Sequence, residues 1–198
     1  MLPKPLKRPT IASRCSYVVL LCIGLQAVIL SPESLQSTRE KFDRIVDGHL
    51  NAGELIIFSE LEINSLLIHS PKMKIPPGIS DLSVQLHADQ AIVDADVDFE
   101  TVKMNSKLTP GVLIDLLLRG EHKLRLHCHV DSANGMGLIR ITSLYIDDTP
   151  LQGTFLEWFL NELLVDQIPA VRFNEPFPLP KNLNYIRLET GRVAIKRF

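Results

Sequence analysis

Residues 91–99 read Ala-Ile-Val-Asp-Ala-Asp-Val-Asp-Phe, a stretch in which apolar and acidic side chains alternate. Alternation with a period of two predicts a β-strand that has one buried and one solvated face. Leu82, Val84 and Leu86 alternate with polar residues in the same way, and a turn at residues 88–90 separates the two stretches. The sequence therefore predicts a hairpin with a single buried face.

A second alternating stretch, residues 122–130, carries basic side chains where the first carries acids. The outward residues of the two stretches are Lys123, Arg125, His127 and His129 on one and Asp94, Asp96, Asp98 and Glu100 on the other. Opposite charges that face each other across a strand pair stabilise it by roughly 0.2–1 kcal/mol. We therefore expect these strands to be neighbours, with antiparallel pairing as the commoner arrangement. An Asn134-Gly135 turn joins the second stretch to a strand over residues 138–146, which makes a second hairpin.

Helical patterns separate the hairpins. Ser59 and Glu62 fit a capping box that begins a helix, and Ile63, Leu66 and Leu67 supply its apolar face. Apolar segments predict further helices at 112–118 and 155–165, and a third hairpin, residues 183–188 and 192–198, ends the chain. We expect an α+β fold in which a curved antiparallel sheet of three hairpins is wrapped round helices.

The first thirty residues form a basic leader followed by an apolar run. Lys4, Lys7, Arg8 and Arg14 precede the run from Cys15 to Leu30. This pattern predicts insertion into a membrane with the amino terminus in the cytoplasm. The run ends in residues 28–32, Val-Ile-Leu-Ser-Pro, which are a poor cleavage site. We favour an uncleaved signal anchor, or transmembrane helix, over a cleaved signal peptide, and a buried core helix comes third.

Three regions follow from these patterns. Residues 1–31 are the leader and membrane helix, residues 32–54 a helical linker, and residues 55–198 one α+β extracytoplasmic domain. Of the 198 residues 45% are hydrophobic, which suffices for a real core, and a net charge of −2 argues against nucleic acid as a partner. Cys128 is the only cysteine after the leader, so no intrachain disulfide is expected.

No motif in the chain predicts catalysis. The acidic stripe lies on a regular strand rather than on a calcium-binding loop, and alternation directs Cys128 away from His127 and His129, which disfavours zinc. Cys128 faces inward, where a cysteine behaves as a small hydrophobe. We find no nucleophile elbow, no phosphate-binding glycine loop and no His-Glu-x-x-His. We therefore expect no enzyme, no metal and no cofactor, and an uncharacterised hydrolase is the third hypothesis.

The apolar surface on three hairpins and at least two helices is larger than a flat two-layer fold needs for its core. A curved sheet could use the surplus to hold an acyl chain in a groove. A solid core is the alternative, and periodicity favours it.

Four segments carry a resemblance to a known family. They are residues 58–67 (Phe-Ser-Glu-Leu-Glu-Ile-Asn-Ser-Leu-Leu), 95–99 (Ala-Asp-Val-Asp-Phe), 156–164 around the late helix and 186–195 (Ile-Arg-Leu-Glu-Thr-Gly-Arg-Val-Ala-Ile). With the long central hairpin, they resemble bacterial periplasmic proteins of the tubular lipid-binding (TULIP) superfamily, in particular its single-domain YceB-like lipoproteins. Residues 176–180, Pro-Phe-Pro-Leu-Pro, are similar to actinobacterial periplasmic members.

The resemblance implies a TULIP-like domain in the periplasm, anchored to the bacterial inner membrane by a single helix because no lipoprotein cleavage motif precedes Cys15 or Cys22. It implies non-catalytic binding of lipid or another hydrophobic ligand in an apolar groove; the alternative is a membrane-tethered interaction or scaffold domain with a protein partner. The lining that it implies is Ile63, Leu66, Leu67, Val84, Leu86, Val93, Val97, Phe99, Leu124 and Leu126.

Overall fold

The structure is a computed structural model that describes residues 31–73, 75–104, 119–158, 160 and 173–198. Within these residues antiparallel strands form two sheets, and helices pack against them, so the predicted α+β class is confirmed. The leader, residues 1–30, lies outside the described residues. So do the predicted helix at 112–118 and most of the one at 155–165.

The described elements are, in chain order, α1 (Pro32–Val46), β1 (Leu55–Ser59), α2 (Glu60–His69), β2 (Ile79–His87), β3 (Gln90–Asp98), α3 (Phe99–Met104), β4 (Glu121–Ala133), β5 (Met136–Ile146), β6 (Thr149–Pro150), α4 (Gly153–Trp158), β7 (Phe177–Pro178), a 3₁₀ turn (Pro180–Asn182), β8 (Leu183–Glu189) and β9 (Arg192–Arg197).

The larger sheet has the strand order β2-β3-β4-β5-β6, and β7 also pairs with β5. The first two predicted hairpins, β2–β3 and β4–β5, are both present. Asn134 and Gly135 take positive φ values of 51° and 78°, as the predicted two-residue turn requires.

The third hairpin, β8–β9, is present but belongs to a different sheet. It pairs through β9 with β1, and the order of this small sheet is β1-β9-β8. The prediction of one sheet built from three hairpins was therefore wrong. Buried and exposed residues alternate along Leu55–Ser59, and this strand pairs with the free edge of β9. Between the two sheets, the Ser132 hydroxyl on β4 forms hydrogen bonds of 2.6 Å with the N–H and the carbonyl of Ile186 on β8.

The acidic and basic stripes do face each other. β3 and β4 are antiparallel neighbours, with Asp94 opposite Arg125 and Asp96 opposite Lys123. Arg125 Nε lies 2.6 Å from Asp94 Oδ1, and Lys123 Nζ lies 3.1 Å from Asp96 Oδ1. The prediction of strand adjacency from charge is confirmed.

The strand at residues 91–100 was predicted two residues too long. β3 ends at Asp98, and Phe99 and Glu100 begin α3. Asp98 explains the change, because its carboxylate accepts hydrogen bonds from the backbone N–H groups of Glu100 and Thr101 and from the Thr101 hydroxyl at 2.5 Å. A carboxylate that accepts the first free N–H groups of a helix favours a helix start over a further strand residue.

The segment predicted as a linker contributes to the folded body. α1 packs on α2, and Ile45 and Leu50 are buried in the core beside it. The predicted capping box at the start of α2 is confirmed, since Ser59 and Glu62 exchange side-chain and backbone hydrogen bonds.

Candidate functional site

The predicted lining residues all lie wholly or partly buried, and all of them except Leu67 divide between two apolar clusters on the inner face of the large sheet. The buried members of the first cluster are Ile45, Leu50, Ile56, Phe58, Leu66, Leu86, Ala91, Cys128, Leu183, Leu188 and Val193. Those of the second cluster are Ala95, Val97, Phe99, Val102, Leu124, Leu126, Leu144 and Ile146.

All the predicted lining residues of α2 and β2 except Leu67 lie in or against the first cluster. Leu66 and Leu86 are buried in it, Ile63 and Val84 pack against it, and Leu67 is half-buried. The small sheet covers these residues with Phe58 of β1 and Val193 of β9, and α1 adds Ile45. The described elements therefore close this part of the core on their own.

Two polar side chains of α2 hold the helix against the edge strand β2. The amide of Asn64 donates to the carbonyl of Val84 at 2.8 Å and accepts from its N–H at 2.7 Å, and the carboxylate of Glu60 accepts from the N–H of Leu86 at 2.7 Å. These groups satisfy the backbone of an edge strand, which otherwise tends to pair with other chains. The helix is thereby fixed at the margin of the large sheet.

Glu62 connects α2 to α1. Its carboxylate accepts hydrogen bonds from Lys41 at 2.7 Å, from the Thr38 hydroxyl at 3.0 Å and from the Ser59 N–H at 2.8 Å. Burial acts to raise the pKa of Glu62, but the bonds from Lys41, Ser59 and Thr38 outweigh it and hold that pKa below its usual range.

The second cluster receives the sheet half of the predicted lining. Val97, Phe99, Leu124 and Leu126 are buried members, and Val93 packs against them. On the described part of the chain, α3 covers this cluster with Phe99 and Val102, and Leu151 and Leu156 pack at its side. The described part of α3 is Phe99–Met104, and that of α4 is Gly153–Trp158.

Sequence reasoning missed Leu144 and Ile146 as members of this cluster. Ile139 packs against the first cluster and Ile141 against both, at odd positions of β5, whereas Leu144 and Ile146 are buried in the second at even positions. A register shift places Cys128 opposite Ile141 and His127 opposite Ser143, so that Thr142 is an extra residue in β5. The Thr142 hydroxyl donates a hydrogen bond to the His127 carbonyl at 3.1 Å. The odd-to-even change in apolar positions was the signal for this bulge.

His122 forms hydrogen bonds with Asp147 and with the backbone of Arg119 beside the second cluster, and we call this group the polar clip. His122 Nδ1 lies 2.6 Å from Asp147 Oδ2, its Nε2 lies 2.9 Å from the carbonyl oxygen of Arg119, and its ring is 5.7 Å from that of Phe99. The hydrogen bond from His122 holds the pKa of Asp147 below its usual range. The clip ties the start of β4 to the turn that follows β5.

Cys128 and its flanking histidines lie on opposite faces of β4, as alternation predicts. The thiol is buried in the first cluster, 3.6 Å from the carbonyl oxygen of Ala91, and burial raises its pKa. The His127 ring lies 5.8 Å from that of Tyr145, and His129 Nε2 lies 3.2 Å from Asp131 Oδ1. A buried thiol with a raised pKa is a poor nucleophile.

Two surface clefts occur away from the inner face. A cleft of about 240 Å³ on the outer side of β3 and β4 is lined mainly by charged residues, Asp81, Asp94, Asp96, Lys123, Arg125 and Asp148. A shallow cleft of about 330 Å³ lies at the β4–β5 turn between Asp131 and Pro176. Of the predicted lining residues, Leu124 alone contributes to either cleft.

The described ranges contain no group of three or more His, Cys, Asp or Glu residues placed to hold a metal ion. In the same part of the chain, no helix is both long and apolar enough to cross a membrane. The predicted membrane helix falls within residues 1–30, which are outside these ranges.

Comparison with known proteins finds no match at any level. No family model fits the chain, and neither a curated protein nor a solved structure is significantly similar to it. The residues themselves therefore carry the functional proposal.

Proposed function

We propose that this protein binds a lipid or another hydrophobic molecule against the second cluster, without catalysing a reaction. The observation that carries the proposal is that the apolar inner face of β3 and β4 continues past the closed first cluster into a second one. The small sheet, α1 and α2 pack over the first cluster, whereas the described residues outside the large sheet that pack on the second come from α3 and from Leu151 and Leu156.

The second cluster offers the apolar surface that a hydrophobic ligand needs. Phe99 and Val102 of α3 and Leu156 of α4 pack on this surface. A hydrophobic ligand that inserts between these helices and the sheet exchanges one set of apolar contacts for another. The free energy of apolar burial is then retained, roughly 25 cal/mol per Å².

The TULIP-like resemblance supports the same ligand class. It also motivates the finer proposals that the sheet is curved round helices and that residues 1–31 anchor the domain to a bacterial inner membrane, with the domain in the periplasm. A carboxy-terminal phosphatase that works only outside the cytoplasm should be active when fused to the chain. Fluorescence from a cytoplasm-only reporter at the same position would contradict that orientation.

The ligand itself can be sought by native mass spectrometry. Residues 31–198 are suited to this, because the Ser31 hydroxyl accepts a hydrogen bond from the Ser34 N–H and caps α1. We expect the protein to emerge with bound phospholipid, or to gain the mass of phospholipid when it is added. A protein that repeatedly emerges empty and gains no mass would contradict the proposal.

A solid core is the competing hypothesis, and one observation favours it: the members of the second cluster are themselves buried. In that case the domain acts as a membrane-tethered interaction module. A lipid-free domain that recovers a stoichiometric protein partner would support this alternative.

A further inference from the structure

The outer face of the small sheet combines exposed aliphatic side chains with cations. Three cross-strand rows make up this face, from β1 through β9 to β8: Leu55, Lys196 and Tyr185; Ile57, Ala194 and Arg187; Ser59, Arg192 and Glu189. We call these residues the basic face. Ile56 and Phe58 point to the opposite side, into the first cluster.

The apolar part of the basic face is open to solvent. Leu55 is 49% exposed and Ile57 is 42% exposed, and they are successive outward residues of the edge strand β1. Large apolar side chains grouped on one exposed surface mark an interaction site more often than scattered ones do.

The charge on this face is opposite in sign to that of the chain. The face carries three cations and one carboxylate, while the whole chain has a net charge of −2. Arg192 pairs with Glu189 at 2.5 Å. Within the described residues, Arg187 and Lys196 form no ion pair, and the Arg187 guanidinium instead lies 5.0 Å from the centre of the Tyr185 ring.

We propose that the basic face docks on the surface of a bilayer that contains anionic phospholipid. Aliphatic and aromatic side chains can enter the boundary between headgroups and acyl chains, while lysine and arginine at the same level contact the phosphates. The predicted anchor within residues 1–31 would hold the domain within reach of such a surface.

This docking surface is separate from the proposed ligand site. The first cluster lies behind the basic face, on the side to which Ile56 and Phe58 point, and the second cluster lies further along the large sheet. Loss of docking and loss of ligand binding are therefore separately measurable.

The test uses the full chain in vesicles of phosphatidylcholine with brominated acyl chains, with or without phosphatidylglycerol. Ile57→Trp places a reporter on the basic face, and Ile68→Trp is the matched control, because Ile68 is 70% exposed on α2. The native Trp158 contributes equally to both variants. In vesicles with phosphatidylglycerol we expect the Ile57→Trp reporter to lose on the order of half of its emission by quenching, and the Ile68→Trp reporter to lose little.

Charge reversal then tests the cations. Each cation near an anionic surface changes partitioning on the order of fivefold, so Arg187→Glu with Lys196→Glu should lower the ratio of docked to undocked molecules by at least about 25-fold. Arg187→Lys with Lys196→Arg keeps the charge and should retain docking. Unchanged thermal midpoints will show that these exposed substitutions leave the fold intact.

Three results would overturn the proposal. The first is equal quenching of the two tryptophan reporters. The second is quenching of the Ile57→Trp reporter that stays the same without phosphatidylglycerol and after charge reversal. The third is concentration-dependent dimerisation that protects the Ile57→Trp reporter, because the edge strand β1 would then be pairing with a second copy of the chain.

Discussion

The inner face of the large sheet is built from the same strands at both clusters, yet the two clusters are covered in different ways. Over the first lie a fifteen-residue helix, a ten-residue helix and the small sheet. Over the second, within the described residues, lie Phe99 and Val102 of α3 and the side chains of Leu151 and Leu156. The alternation along β3 and β4 thus makes one apolar face that different elements cover at its two ends, and our proposal assigns a ligand to the end at the second cluster.

The largest effect should come from the closed cluster. Phe58 is almost completely buried there, and Phe58→Ala should lower the free energy of unfolding by about 3–5 kcal/mol, because it leaves a cavity among packed side chains. Ile57→Ala is the control, since Ile57 is the adjacent residue and faces outward. It should change stability by less than about 0.5 kcal/mol in urea unfolding. Equal losses would mean that the first cluster is not closed.

A smaller effect is expected where α3 meets the sheet. Gly78 has a φ of +89°, and a Cβ there would lie 2.8 Å from the backbone oxygen of Asp98. Gly78→Ala therefore combines backbone strain with a clash and should cost about 1–3 kcal/mol.

Gly53→Ala is the matched control for Gly78→Ala. Gly53 has a φ of +74° but nothing within 4 Å of the added atom, so strain alone should cost about 1 kcal/mol. Thermal unfolding of the two variants separates strain from contact. A Gly53→Ala variant that is as destabilised as Gly78→Ala would show that the close approach of Gly78 to the Asp98 carbonyl adds no cost beyond backbone strain.

Acid should weaken both clusters through one carboxylate each. The pKa of Glu62 beside the first cluster lies below its usual range, and so does the pKa of Asp98 at the start of α3, chiefly because of the Thr101 hydroxyl. A carboxylate with a lowered folded-state pKa contributes stability above its unfolded-state pKa, and this contribution is lost as the pH falls through the folded-state value.

Glu62→Gln and Asp98→Asn should therefore be less stable than wild type at neutral pH and lose less stability between about pH 5 and pH 3. Urea midpoints measured across that range provide the comparison. If both variants lose as much stability as wild type between about pH 5 and pH 3, the two carboxylates do not make the stabilising contacts described here.

The smallest effect concerns the charged ladder on the outer face, which both clusters share. Arg125 and Asp94 form an exposed pair, so Arg125→Ala should cost less than about 1 kcal/mol, and high salt should reduce the difference from wild type. A larger loss in chemical unfolding would indicate that the ladder, rather than apolar packing, holds β3 to β4.

Local patterns predicted the strands well. Alternation identified β2, β3 and β4, opposite charge identified the β3–β4 neighbours, and the capping box located the start of α2. These features depend on residues a few positions apart or directly opposite each other, so they can be recognised from local sequence patterns.

The missed features depend on competition between distant parts of the chain. The pairing of β8–β9 with β1 rather than with the large sheet, and the division of the apolar face into two clusters, depend on which distant element packs on a given edge or face. The end of β3 was missed because Asp98 was assigned to the solvated stripe and not to a helix cap.

Two matched tryptophan variants test the central claim most directly. Val97 in the second cluster and Val193 in the first are equivalent buried valines, so Val97→Trp and Val193→Trp add the same volume to each. Thermal melting is measured together with the phospholipid bound per molecule. We predict that Val193→Trp loses about 1–3 kcal/mol and keeps its lipid, whereas Val97→Trp stays close to wild type in stability and loses its lipid. A Val97→Trp variant that is strongly destabilised with its lipid content unchanged would contradict the account.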